Sequence, residues 1–172
     1  MDFWDNTLSI LAGVVLGFGL SIVAFPVQNW LRERSIRKSL ETNVKREFDF
    51  NESFLEEKID DLQSTIDYVS AGSRVFFCYL NYSSYMRHFL DRYFDQGYLF
   101  KNLEDNEDIK LLNSIVNVMS LAGESYVNNI IQMWKNQAMT KDQAVEALSF
   151  QRDQLRRFLK GLKRIKKAIV PK

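Results

Sequence analysis

From Asn6 to Leu31 the chain carries no charged side chain, and its core, Thr7 through Phe25, is apolar almost throughout. A helix needs roughly 20 such residues to cross the hydrocarbon core of a bilayer, so residues 7–28 are predicted to be a transmembrane helix. The pattern then changes. From Trp30 to about Glu47 charges are frequent, and residues 29–50 are expected to continue the helix as a basic juxtamembrane connector. Beyond it Leu55, Ile59, Leu62, Ile66 and Val69 recur at alternating steps of four and three, with Glu56, Glu57, Asp60 and Asp61 off that seam. This is the period of an amphipathic helix, with Asn51 as its expected N-cap and Gly72 as its stop. The seam suits a short coiled coil between subunits or a face packed on the chain's own domain.

From Ser73 to Phe94 the chain is rich in aromatics: Phe76, Phe77, Tyr79, Tyr82, Tyr85, Phe89, Tyr93 and Phe94. As a helix this segment is aromatic over much of its circumference, which predicts a buried central helix rather than a platform for stacking bases. The acidic run Glu104–Asp108 lacks the ligand spacing and glycine of a calcium loop. It reads instead as the start of a helix extending to about Lys135, where carboxylates suit the dipole. The last helix opens on Thr140-Lys-Asp-Gln143, a capping-box pattern. Val145, Leu148, Leu155, Phe158, Leu159, Leu162 and Ile165 give it an apolar face. Its end is basic: Arg152, Arg156, Arg157, Lys160, Lys163, Arg164, Lys166 and Lys167. That patch suits RNA, an acidic partner, or the Glu56–Asp61 region of a neighbouring subunit. The resulting fold class is all-α: a short extracytoplasmic N-terminus (1–6), one membrane helix, and a cytoplasmic helical bundle over 51–172.

The flanks of the apolar segment set its orientation. Arg32, Arg34, Arg37 and Lys38 follow it, against Asp2 and Asp5 before it, so the positive-inside rule places the C-terminal side in the cytoplasm of a bacterial inner membrane. A leader without Lys or Arg, and without a small-x-small cleavage site, argues against a removed signal peptide. Trp4 and Trp30 stand at the two ends, where indoles favour the headgroup layer. Pro26 is expected to kink the helix or mark its exit from the membrane. Ser9, Gly13, Gly17 and Ser21 recur every fourth residue, a small-xxx-small stripe through which helices pack closely in lipid. Ala12, Gly19 and Pro26 form a second narrow line. Leu11, Val15, Phe18, Ile22 and Phe25 suit lipid, and Leu16, Leu20 and Val23 face the other way. Two narrow sides, one lipid face and one inner face fit a ring of identical subunits, with Leu16, Leu20 and Val23 as the candidate pore lining. The connector's basic residues, with Lys45 and Arg46, suit anionic headgroups or RNA.

The whole chain of 172 residues has a formal net charge of +1, so overall charge selects no partner. Two prolines and seven glycines favour long helices over sheets. The single cysteine, Cys78, fits a reducing compartment and reads as a small buried hydrophobe rather than a reactive thiol. With one cysteine and one histidine no ordinary His/Cys metal site is available, and no phosphate loop, dinucleotide fingerprint or nucleophile elbow is present, so no cofactor is expected. His88 is the sole candidate for acid–base work near neutral pH, and reads more simply as a structural histidine.

The layout of an uncharged outward-starting helix, a basic connector and a compact helical domain resembles the small membrane accessory protein of type VI-B CRISPR systems. The resemblance covers nearly the whole chain but rests on architecture rather than on a diagnostic motif. It implies a ring-shaped homo-oligomeric pore that strengthens antiphage defence by depolarising the inner membrane once an RNA-guided RNA-cleaving effector has found phage RNA. That family is likened to HEPN domains, whose nucleases use Arg, four to six residues, then His. Here Asn81, Tyr82 and Ser83 occupy the arginine positions before His88, Arg74 is too distant and Arg87 is adjacent. A nuclease reading would therefore rest on Asn81, Arg87 and His88, and a passive anchor or adaptor working through the basic last helix is a third reading.

Overall fold

The computed structural model describes residues 3–76, 78, 80–99, 103 and 106–169, with side chains described from residue 13 onward except at 121 and 122. Five helices and no strand occur among the described residues: α1 (Phe3–Ser70), α2 (His88–Asp95), α3 (Asn106–Val118), α4 (Leu121–Lys135) and α5 (Lys141–Ile169). The chain divides into two compact units, Met1–Leu40 and Glu41–Lys172. Among the described residues the first holds only α1 residues, and the helix passes through Pro26. The connector is helical, as its sequence predicts.

Asn51 is no helix start. It lies in mid-α1, because Glu47 and Phe48 before it are already helical and buried, and the amide serves another segment. The predicted stop is correct. Gly72 takes φ +77°, Gly72 N–H donates to Val69 O at 2.9 Å, and Ser73 N–H donates to Tyr68 O at 2.9 Å, closing α1 with a left-handed cap. The seam residues Leu55, Ile59, Leu62, Ile66 and Val69 are all buried within the second unit, so the chain's own domain covers them and leaves no seam for a coiled coil between subunits. The opposing face is α5, which runs antiparallel to α1. Arg152 Nη1 donates to Gln63 Oε1 at 2.7 Å, Lys163 Nζ to Glu56 Oε1 at 2.7 Å and Lys166 Nζ to Glu52 Oε1 at 2.9 Å.

The capping box that opens α5 forms as the sequence predicts. Gln143 N–H donates to Thr140 Oγ1 at 3.3 Å, and Thr140 N–H donates to Gln143 Oε1 at 3.1 Å. Of its expected apolar face, Leu148, Leu155, Phe158, Leu162 and Ile165 are buried, while Val145 and Leu159 are half-buried. The helix expected to reach Lys135 unbroken is two helices, α3 and α4, parted at Met119 and Ser120. Gly123 permits this turn: a Cβ there would lie 1.9 Å from the Val118 carbonyl oxygen.

The largest departure is the aromatic stretch. Residues 73–76, 78 and 80–87 are not helical, and only His88–Asp95 of the expected helix forms, as α2. Aromatic side chains are still central, since Tyr82 and Tyr93 are fully buried. Tyr82 enters the core from a strap without regular structure, and Tyr93 from α2.

Candidate functional site

Two features carry chemistry beyond a generic bundle: the apolar part of α1 and the strap. In α1 every described side chain from Gly13 to Leu31 is exposed, with Leu20 at 70% and Phe25 at 68%. An 18-residue window there has a mean hydropathy of 1.6, and none of it is buried. Of the candidate pore lining, Leu16, Leu20 and Val23 are as open as Val15, Phe18, Ile22 and Phe25 on the lipid side, so nothing within one chain separates the two faces. A Cβ on Gly13, Gly17 or Gly19 would meet nothing within 4 Å. Ser21 Oγ donates to Gly17 O at 2.8 Å, the back-bond a hydroxyl makes when no other acceptor is near. The Ser9, Leu11, Ala12 and Trp4 side chains lie outside the described residues. Arg32, Arg34, Arg37 and Lys38 are exposed, with Arg34 lying over the Trp30 ring at 5.3 Å.

A strap without regular structure that enters the core at Leu80 and Tyr82 must still satisfy its backbone polar groups there. Here side chains of α1 and α4 do so. Asn51, 2% exposed, accepts Met86 N–H at 2.9 Å and donates to Met86 O at 2.5 Å. Asn128 repeats this on Leu80, accepting its N–H at 3.1 Å and donating to its carbonyl at 3.0 Å. Glu124 accepts Tyr82 N–H at 2.9 Å, Trp134 Nε1 donates to Ser73 O at 2.9 Å, and Lys135 Nζ donates to Phe76 O at 2.6 Å. Thr65 Oγ1 and Cys78 Sγ are 2.9 Å apart, so Cys78 is half-buried and engaged. Glu47 accepts Phe89 N–H at 2.7 Å and Leu90 N–H at 3.4 Å, capping the start of α2 with a carboxylate. Burial nevertheless lifts Glu47 above its ordinary value, outweighing both N–H donors.

None of these anchors is among the sequence-predicted sites, although a signal exists. Asn51 falls on the same four-three line as Leu55 and Leu62, and Glu124 and Asn128 share a face with Val127 and Ile131. A polar residue on an apolar line needs a buried partner.

Two of the three nuclease candidates lie together. Arg87 and His88 border a hollow with Glu47, Tyr85, Met86, Phe89 and Asp91, and Asn81 does not line it. Asn81 Oδ1 instead accepts Ser83 N–H at 2.7 Å in a local turn. Arg87 pairs with Asp91 at 3.3 Å, and His88 is exposed, set edge-on to Phe89 rather than serving the core. Arg87 also borders a cavity of about 420 Å³ with Tyr82, Tyr85, Ser120 and Glu124. The Tyr82 and Tyr85 hydroxyls are buried without a hydrogen-bond partner among the described residues. Burial, with the Glu124 charge, pushes Tyr82 up to about 12, and burial raises Tyr85 further. Among the described residues no His/Cys/Asp/Glu group is placed to hold a metal.

The basic end of α5 largely meets acids of its own chain. Lys163 bonds Glu56, Lys166 bonds Asp49 and Glu52, and Arg164 bonds Asp108 of α3. Lys58 holds Glu57 and Asp61 at 2.8 and 2.9 Å. Most of the Glu56–Asp61 run, one of the partners the sequence offers the basic patch in a neighbouring subunit, thus has ion-pair partners within its own chain. No protein-family model matches the chain, and neither the curated proteins nor the solved structures hold a significant match.

Proposed function

We propose that this chain is a single-pass inner-membrane protein whose N-terminal helices associate into a homo-oligomeric pore, with its HEPN-like helical domain on the cytoplasmic side. The observation that carries the reading is the complete exposure of the apolar stretch from Gly13 to Leu31. Such a surface is stable only against lipid or against other helices. The glycine stripe is open, with room for a neighbouring backbone to approach, and close packing of that kind drives helix association in membranes. Basic residues on one flank alone orient the helix. The family resemblance adds the setting: depolarisation of the membrane in RNA-guided antiphage defence, coupled to an RNA-cleaving effector. In this reading His88 has no catalytic role.

The test combines assembly and leakage. Detergent-purified protein should be oligomeric, and Gly13→Ile with Gly17→Ile should reduce both the oligomer and membrane depolarisation, while Phe18→Leu should not. Leu20→Asn should make cells leakier, because an apolar constriction gates by dewetting and a polar residue wets it. A monomer at all concentrations, or full protection by a fragment lacking residues 1–28 together with loss of protection in folded His88→Ala, would replace the pore with an RNase.

A further inference from the structure

Charge is strongly polarised along this chain. Residues 152–167 hold eight cations and one carboxylate, whereas the whole chain is net +1. The structure gives that imbalance a surface. At 3.6 residues per turn, Arg156, Arg157, Lys160, Lys163, Arg164 and Lys167 fall within roughly 120° of the α5 circumference and extend about 16 Å along it. All six are exposed. The opposite side, Leu148, Leu155, Phe158, Leu162 and Ile165, is buried in the domain.

Neighbouring helices engage the two edges of this face and leave its middle open. Lys163, on the edge towards α1, bonds Glu56, and Arg164, on the edge towards α3, bonds Asp108. Arg156 touches only Asp153 of its own helix, at 3.4 Å. Arg157, Lys160 and Lys167 have no ion-pair partner among the described residues. The edge pairs are no obstacle, since exposed ion pairs contribute between nothing and about 1 kcal/mol and exchange readily.

We propose that this outer face of α5 binds the phosphodiester backbone of a nucleic-acid strand, without reading its sequence. A straight row of cations on one convex helix matches a linear polyanion, whose neutralisation releases counterions. A lipid surface fits less well. Helices that lie on membranes insert an apolar face, and the apolar face of α5 is already used in the core. No large hydrophobic side chain interrupts the row from Arg156 to Lys167 on the exposed side. The inference does not depend on whether the N-terminal helices assemble a pore.

The experiment uses full-length protein in neutral phosphatidylcholine nanodiscs and a fluorescein-labelled 20-nucleotide oligouridylate, followed by anisotropy. With four or five phosphates neutralised on a single strand, affinity should fall about 50- to 130-fold between 50 and 200 mM salt. The combined variant Arg157→Gln, Lys160→Gln, Lys167→Gln should weaken binding at least about 10-fold and flatten the log–log salt slope by about 2. Lys141→Gln, at the other end of α5, should change neither. Circular dichroism confirms that each variant is folded. Absent binding, salt-insensitive binding, or an unchanged slope in the folded triple variant would overturn the proposal. So would loss of attachment to phosphatidylserine vesicles in a triple variant that still binds the oligonucleotide as wild type does.

Discussion

Replacing Asn51 by alanine distinguishes its two possible roles by sign. As a mid-helix residue, Asn51 is a poorer helix former than alanine by about 0.6 kcal/mol, so local propensity alone predicts a small gain. The structure predicts a loss. The amide satisfies both the N–H and the carbonyl of Met86, at 2.9 and 2.5 Å. Deleting it removes two hydrogen bonds worth about 1–1.5 kcal/mol each, with a further penalty where water cannot replace them. Met86 is half-exposed, so water recovers part of that penalty. After the propensity gain, the net cost should be about 2–3 kcal/mol. For a domain of this size that lowers Tm by about 6–10 °C. The assay is thermal unfolding followed by circular dichroism, with hydrogen exchange at the Met86 amide. Asn51→Asp should cost more, because a carboxylate oxygen would replace Nδ2 against the Met86 carbonyl. Asn129→Ala, on the exposed side of α4, supplies the propensity-only control. A Tm for Asn51→Ala equal to or above wild type, or matching that control, would refute the anchoring role.

Three further outcomes follow from particular contacts. Glu47 is held above its ordinary 4.5 chiefly by burial, so its contribution to stability is complete below that value and lost as pH rises through its folded value. Urea titrations from about pH 4 to 7 should show wild type declining relative to Glu47→Gln, and parallel curves would contradict this. Gly123→Ala should cost about 1–3 kcal/mol in the same titrations, since its Cβ would meet the Val118 backbone oxygen rather than a movable side chain. Gln137→Gly should raise stability by about 0.5–1 kcal/mol, because Gln137 ends α4 at φ +62°, where a side chain is strained; no gain in Tm would count against that geometry.

What the sequence made legible was local or periodic. The four-three seam of α1, the apolar face of α5, the Thr140–Gln143 cap and the Gly72 stop are each written within a few residues. The strap was not legible, because the groups that hold it lie 35 to 61 residues away. Seen alone, its aromatics suit a buried helix. In the fold, the Asn51 and Asn128 amides offer its backbone the bonds a helix would otherwise supply. Asn51 was misread as a cap for a related reason. Asparagine's preference for capping is local, and its use here is tertiary. The α3–α4 break falls at Met119 and Ser120, just before Gly123, inside the segment expected to be one helix. Arg87 and His88 share a hollow, yet Asn81, which matched by spacing alone, is occupied in its own turn.

The anchoring of the strap has a consequence for how the chain tolerates change. Loops usually accept insertions and deletions because their backbones face water. This one is held at fixed addresses: the carbonyl of Ser73, both polar groups of Leu80, the N–H of Tyr82 and both groups of Met86. Adding or removing one residue between Leu80 and Met86 would stop the Asn128 and Asn51 amides from both meeting their own peptide units without distorting the chain between them, as a key one notch too long seats at one end only. The exposed side chains of Val75 and Ser84 take part in none of those bonds and can vary widely in chemistry. The strap is therefore permissive in composition and strict in length.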